Sequence, residues 1–121
     1  MSTTVNWFEI PVQDIKQAAE FYGTVLDTPL GEMDGPDGDA MRVFLGDEGP
    51  SGTLVQADAE NSPAANGTLV YLSSEDIDAA LERAGAAGGQ VQQPKTPIGP
   101  FGFIGRFLDP DGNRVALHTP S

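Results

Sequence analysis

Two side chains have the chemistry for general acid–base catalysis, Glu9 near one end of the sequence and His118 near the other. His118 is the only histidine, and an imidazole paired with a carboxylate can move a proton near neutral pH. Such a pair works only if folding brings the two residues together. A second interpretation makes Glu9 a buried structural ion-pair partner of Arg42, Arg106 or Arg114, and leaves His118 on the surface.

Two other chemical motifs are not supported by their context, and one class of chemistry is excluded by composition. The segment 109–113, DPDGN, lacks the 12-residue spacing and terminal glutamate of a calcium-binding loop, and its composition predicts a tight turn. The glycine-rich segment 86–90, AAGGQ, follows a predicted helix, whereas a phosphate-binding loop precedes one. The sequence has no cysteine, which excludes disulfides and thiolate chemistry.

The composition predicts one globular domain over residues 1–121. No run approaches the roughly 20 apolar residues of a membrane span, and no basic and apolar leader is visible, so we expect a cytoplasmic protein. The formal net charge of −12 argues against nucleic acid or a membrane surface as a partner, since both need a basic face. The acidity indicates either solubility by self-repulsion or adaptation to a salty cytoplasm.

An internal repeat organises the chain. The segment Asn6–Tyr22, NWFEIPVQDIKQAAEFY, is echoed 62 residues later by Thr68–Ala84, TLVYLSSEDIDAALERA. The back of each half repeats as well, which predicts two units over 5–57 and 68–119, joined by a polar linker over 58–67. Each unit has the pattern βαβββ.

The predicted elements of the two halves follow from periodicity and turn chemistry. Asp14 is expected to cap the first helix, and the second is expected to run to about Ala87 with Gly88–Gly89 at its end. Lys95–Gly102, with two prolines, is predicted to be a loop. The predicted strands are Val5–Val12, Leu30–Met33, Ala40–Gly46, Thr53–Ala57, Thr68–Leu72, a short strand opening at Val91, Phe103–Leu108 and Arg114–His118. Neither half has enough apolar surface to stand alone, so we expect an α+β fold in which both modules form a curved mixed sheet around a cavity, with helices outside.

These segments give the chain a family resemblance. The stretches WFEIPVQDI, GTLVYLSSEDIDAAL, AAGGQVQQPKTPIGPFG and FLDPDGN resemble the vicinal oxygen chelate superfamily, which includes glyoxalase I, bleomycin-resistance proteins and extradiol dioxygenases. The resemblance covers residues 5 to 119, and implies the tandem βαβββ fold and a divalent metal held by His, Glu or Gln in the cavity. One fold of this kind hosts many chemistries, so the substrate does not follow.

The positions at which the resemblance places the metal ligands carry other residues here. They are Trp7 and Leu69 on the first strand of each half, and Thr53 and Ala116 on the last. Only the Thr53 hydroxyl could offer an oxygen, and a metal site needs three or four converging donors. We therefore expect no metal and no other cofactor, and a metal-dependent dioxygenase is not favoured.

The two-residue period of the strands predicts a ligand pocket on the strand faces that carry these four positions. One interpretation is a pocket for a planar or amphipathic small molecule that stacks on Trp7 and Tyr71. The other is that these side chains simply fill the space between the sheets. The predicted pocket residues are Trp7, Glu9, Thr53, Val55, Leu69, Tyr71, Phe101, Phe103, Arg114 and Ala116.

Three functions remain open from the sequence. The first is a metal-free protein that binds or sequesters a small molecule, as the bleomycin-resistance members are expected to do. The second is a lyase or isomerase related to lactoylglutathione lyase with non-standard catalytic residues. The third is a small scaffold whose ligand site has decayed. The resemblance also implies a homodimer, and the sequence does not decide whether the modules pair within one chain or between two.

Overall fold

The protein consists of two βαβββ modules, as the sequence predicts. The computed structural model describes residues 3–36, 38 and 40–121. Within these residues the elements are β1 (Glu9–Val12), α1 (Ile15–Leu26), β2 (Gly31–Asp34), β3 (Ala40–Gly46), β4 (Gly49–Gln56), β5 (Val70–Ser73), α2 (Ile77–Ala86), β6 (Gln90–Pro97), the short 3₁₀ helix Gly99–Phe101, β7 (Phe103–Leu108) and β8 (Arg114–Thr119). No helix among them is long and apolar enough to cross a membrane.

Each module forms its own four-stranded mixed sheet. The strand orders are β1-β4-β3-β2 and β5-β8-β7-β6, so the two sheets repeat one topology. In each sheet the first and last strands of the module pair in parallel, and the other neighbours are antiparallel. The predicted α+β class with tandem modules is therefore confirmed.

Both helices begin at an aspartate, as the sequence indicates for Asp14. The Asp14 side chain accepts a hydrogen bond from the Gln17 backbone N–H at 3.1 Å, and Asp76 accepts one from Ala79 at 3.0 Å. An oxygen at this position satisfies a donor that the first turn leaves unpaired. The two caps start the helices at equivalent places in the repeat.

The two helices contact each other over one side of both sheets. Arg83 of α2 donates to the backbone carbonyls of Thr24 and Val25 at the end of α1, at 2.9 and 2.8 Å. Tyr22 of α1 is fully buried between Phe44 of the first sheet and Phe107 of the second, with ring centroids 5.4 and 6.3 Å away. One hydrophobic core thus serves both modules.

The turn between β7 and β8 is held by Asp109. Its buried carboxylate accepts hydrogen bonds from the backbone N–H groups of Asp111 and Asn113, both at 2.9 Å. It also accepts from the Asn113 side chain at 3.1 Å, while that side chain donates to the Pro11 carbonyl at 2.7 Å. The DPDGN segment is therefore a turn that also contacts β1, in agreement with the sequence prediction.

Several predicted boundaries are wrong. β4 begins at Gly49, not at the predicted Thr53. β6 extends further than predicted. Lys95–Pro97 belongs to this strand and was predicted to be loop. The strand pairs with β7 through Thr96 opposite Ile104, with register shifts around Pro94. A proline is tolerated there because β6 lies at the edge of its sheet.

The starts of the first strand of each module were also predicted too early. β1 begins at Glu9, not Val5, and β5 begins at Val70, not Thr68. Trp7 and Leu69 therefore precede the strands to which the sequence assigned them. Ile10 and Val12 of β1 are buried, and Phe8, just before the strand, packs against the core.

Candidate functional site

The sheet faces opposite the helices carry most of the residues that the sequence singled out. The strand register places Glu9 beside Thr53 in the first sheet, and Tyr71 beside Ala116 in the second. Paired residues on neighbouring strands point to the same face. In each module the strand register thus places two of the predicted pocket residues side by side.

The most unusual polar group on this face is the guanidinium of Arg106. Arg106 pairs with Ala116 across β7 and β8, and Ala116 pairs in turn with Tyr71. The Arg106 side chain extends past Ala116 toward Tyr71, and its Nη2 atom lies 3.5 Å from the Tyr71 hydroxyl. Its Nε atom is buried and has no hydrogen-bond partner among the residues that the structure describes. The sequence suggested Arg106 only as a partner of Glu9, although its alternation with the buried Phe107 already indicated this face.

The predicted buried ion pair of Glu9 is not formed. Glu9 is exposed, and among the described residues the one ion pair within 4.0 Å joins Arg42 to Glu32 at 3.3 Å. Arg42 pairs with Leu54 and so lies on the helix side of its sheet, away from Glu9. Glu9 and Arg114 instead line a common cleft of about 340 Å³ beside the linker.

His118 does not contact Glu9 in the described part of the chain. Its Nε2 atom lies 2.8 Å from the Phe101 backbone carbonyl, and it is paired with Ser73 in the second sheet. Glu9 belongs to the first sheet. The geometry therefore offers His118 a structural contact to the 3₁₀ turn, and the proposed acid–base pair is not assembled.

A cleft with apolar walls and a polar rim lies where the modules meet. Its volume is about 390 Å³, within the range of small-molecule sites. The first module supplies its larger part and β5 supplies one wall with Tyr71. The apolar walls are Phe8, Leu26, Pro29, Leu30, Phe44, Leu45, Tyr71 and Leu72, and the polar rim is Thr28, Asp47, Ser51 and Ser73.

The remaining predicted pocket residues differ in exposure. Trp7 is 38% exposed and Phe101 is 72% exposed, so both rings are available to solvent. Thr53 and Ala116 are buried, Val55 and Leu69 are half-buried, and Phe103 packs against the shared core. Of the predicted pocket residues, Tyr71 lines the cleft. The phenylalanines and leucines that line it with Tyr71 were not predicted, because they come from segments far apart in the sequence.

The residues at the positions that the resemblance assigns to a metal do not fit one. The side chains of Trp7, Leu69 and Ala116 have no atom suited to bind a metal ion. The Thr53 hydroxyl donates a hydrogen bond to the Arg42 carbonyl at 2.8 Å. No group of three or more His, Cys, Asp or Glu side chains in the residues that the structure describes is arranged to hold a metal ion. The side chains at these four positions therefore support no metal-dependent step.

The duplicated modules, shared core and open sheet faces define the class of protein. The chain belongs to the Glyoxalase/Bleomycin resistance protein/Dioxygenase superfamily, whose family model matches residues 4–117.

Three comparisons illustrate the relationship. The chain is 24% identical over 116 residues to a protein of Mycobacterium tuberculosis named "Putative glyoxylase CFP32", with 94% of this chain and 44% of that protein covered. It thus spans less than half the length of this curated relative. The antibiotic-binding protein TnmS3 of Streptomyces sp. CB03234 is 27% identical with a TM-score of 0.68, covering 99% of this chain and 98% of TnmS3. A glyoxalase/bleomycin resistance protein of Albidiferax ferrireducens T118 has 18% identity and a TM-score of 0.69, covering 93% and 94% of the two chains.

Proposed function

We propose that the protein binds, and thereby sequesters, a planar or amphipathic small molecule in the cleft between its modules, without a metal. Binding of this kind needs a concave apolar surface with a few polar groups at its rim. It needs no catalytic residues. Metal-free binding or sequestration of a small molecule is the first of the three functions that the sequence left open.

The cleft itself is the observation that carries the proposal. It joins aromatic side chains of both modules, and Tyr71 remains 46% exposed on its wall. Leu45, which lines the cleft from the first module, is 57% exposed. Large apolar side chains left open beside a cleft favour burial under a ligand, because covering them removes apolar surface from water.

The relationship to TnmS3 supports a binding function. That protein is described as antibiotic-binding, and the similarity extends over nearly the whole of both chains at 27% identity. The metal-ligand positions occupied by Trp7, Leu69 and Ala116 favour the metal-free form of the proposal. A lyase or isomerase activity is the alternative, and the separation of Glu9 from His118 argues against it.

A thermal-shift screen of planar aromatic compounds, run with and without EDTA, tests the proposal. We expect a ligand that raises the melting temperature equally in both conditions, because a molecule that binds only the folded state stabilises it. The site variant Leu45→Asp should abolish this shift, since it places a charge on the cleft wall. Val91→Asp is the matched control, because Val91 is 43% exposed and does not line the cleft.

Two results would overturn the proposal. One is a full screen in which no compound stabilises the protein. The other is stoichiometric metal in the purified protein together with ligand binding that EDTA abolishes. A ligand shift that survives in Leu45→Asp would place the site elsewhere.

We further propose that the protein is a homodimer, since the resemblance implies one. Light scattering at micromolar concentration tests this directly. A mass corresponding to one chain of 12.7 kDa would contradict it.

A further inference from the structure

We infer that the ligand is an aromatic carboxylate whose carboxylate group binds Arg106 beside Tyr71. This inference rests on the proposed function, since it assigns a chemical class to the ligand of the cleft. The observations on Arg106 are separate from those that define the cleft, because Arg106 itself does not line it.

The first observation is the incomplete hydrogen bonding of Arg106. The Nε atom is buried without a partner, and no carboxylate of the described residues lies within 4.0 Å of the guanidinium. The Nη2 atom, by contrast, lies on the exposed side of this half-buried residue, where a carboxylate from solvent can accept charge-assisted hydrogen bonds. The Tyr71 hydroxyl, at 3.5 Å from Nη2, is a distant neighbour and a neutral one.

The second observation is that the protein has many carboxylates and leaves this arginine without one. The sequence contains 18 acidic residues against six Lys and Arg. The one carboxylate of the predicted pocket, Glu9, belongs to the other sheet. An arginine on an open sheet face in so acidic a chain is suited to an anion that comes from outside.

The third observation is that Tyr71 joins the two parts of the site. Its ring forms one wall of the cleft, and its hydroxyl is the atom that Arg106 approaches. Ala116 lies between Tyr71 and Arg106 in the strand register and is too small to separate them. A flat apolar body in the cleft would therefore place a carboxylate on its edge toward the guanidinium.

The test compares naphthoate with naphthamide, two probes of the same shape that differ in charge. Their dissociation constants are measured by calorimetry for the wild type, Arg106→Gln and Arg42→Gln. Arg42 is the matched control because it is also a half-buried arginine, but it is paired with Glu32 on the helix side.

We expect the wild type to bind naphthoate about tenfold or more tightly than naphthamide, the scale of one charge-assisted hydrogen bond. The preference should disappear in Arg106→Gln and persist in Arg42→Gln, while naphthamide affinity stays the same in all. Equal affinity of the two probes for the wild type would overturn the carboxylate inference and leave the cleft proposal standing. A preference that survives in Arg106→Gln would also overturn it, and binding of neither probe would count against both proposals.

Discussion

The hydroxyl of Tyr22 donates a hydrogen bond of 2.7 Å to the carboxylate of Asp109, 87 residues away in the chain. Tyr22 lies on α1 of the first module, and Asp109 starts the turn between β7 and β8 of the second. Burial raises the pKa of Tyr22 well above its ordinary range, and the Asp109 charge raises it further. The phenol therefore stays a donor, and this bond links the modules inside their common core.

Removing that hydroxyl should destabilise the protein. Tyr22→Phe keeps the ring between Phe44 and Phe107 but leaves a buried carboxylate oxygen with one donor fewer. We expect a loss of about 1–3 kcal/mol in the free energy of unfolding, measured by urea denaturation. Tyr71→Phe is the control, and its exposed hydroxyl predicts almost no change. Equal effects of the two substitutions would contradict the structural role of the Tyr22 bond.

Asp111 makes stability depend on pH in the acidic range. Partial burial raises the pKa of its carboxyl above the ordinary 3.8, the charges of Asp109 and Asp14 add to the rise, and the Gln13 N–H opposes it. The folded state then binds the proton more tightly than the unfolded state. Stability should fall as the pH rises from about 3.8 through the raised pKa.

Asp111→Asn should remove this loss. We expect a melting temperature about 2 °C higher than the wild type at pH 7, and no difference at pH 3, because a partly exposed charge contributes little. Differential scanning calorimetry at both pH values measures this. Glu48→Gln, which removes an exposed charge from a turn, controls for the general repulsion in this acidic chain. An equal gain from both substitutions would exclude a specific effect of Asp111.

Arg83 should contribute to the packing of the two helices. Its side chain donates to the carbonyls of Thr24 and Val25, where a cation is also favoured by the helix dipole. Arg83→Met keeps the apolar stem and removes the donors. We expect a loss of about 1–3 kcal/mol in unfolding free energy, measured by denaturation. Lys16→Met, an exposed cation of α1, should change it little.

Treatment with a chelator of divalent metals should leave the thermal stability of the protein unchanged. The side chains at the positions implied for metal ligands do not offer the required donors, so we expect EDTA to shift the melting temperature by less than about 1 °C. Adding Zn²⁺, Ni²⁺ or Mn²⁺ should likewise produce no saturable stabilisation, because only binding to the folded state would raise it. A saturable shift with any of these ions would show a metal site that the strand register does not predict.

Local interactions explain why much of the fold could be predicted. The bounds of β3 and β7 are those expected from alternation, and Asp14 caps α1 through a donor three residues away. The loop predicted over Lys95–Gly102 is wrong over Lys95–Pro97, because β6 is extended by pairing with β7, which composition does not reveal. Prolines there indicated a loop, but an edge strand tolerates them.

The candidate site was less predictable, because its contacts join residues far apart in the chain. The sequence indicated Tyr71 as a pocket residue, but one of its two interpretations of Glu9 was a buried ion pair that the structure does not contain among its described residues. It also could not show that Arg106 reaches the Tyr71 hydroxyl, 35 residues away, with its Nε atom unpartnered.

The sequence by itself determined the duplication, the start of α1 and the family, since these depend on repeated spacing and on neighbours within a few residues. Only the tertiary structure decided which side chains share a surface. It placed Glu9 and His118 in different sheets and joined Tyr22 to Asp109. The physical reason is that strand register and helix packing set these partners, and both depend on the burial of apolar surface from the two modules together.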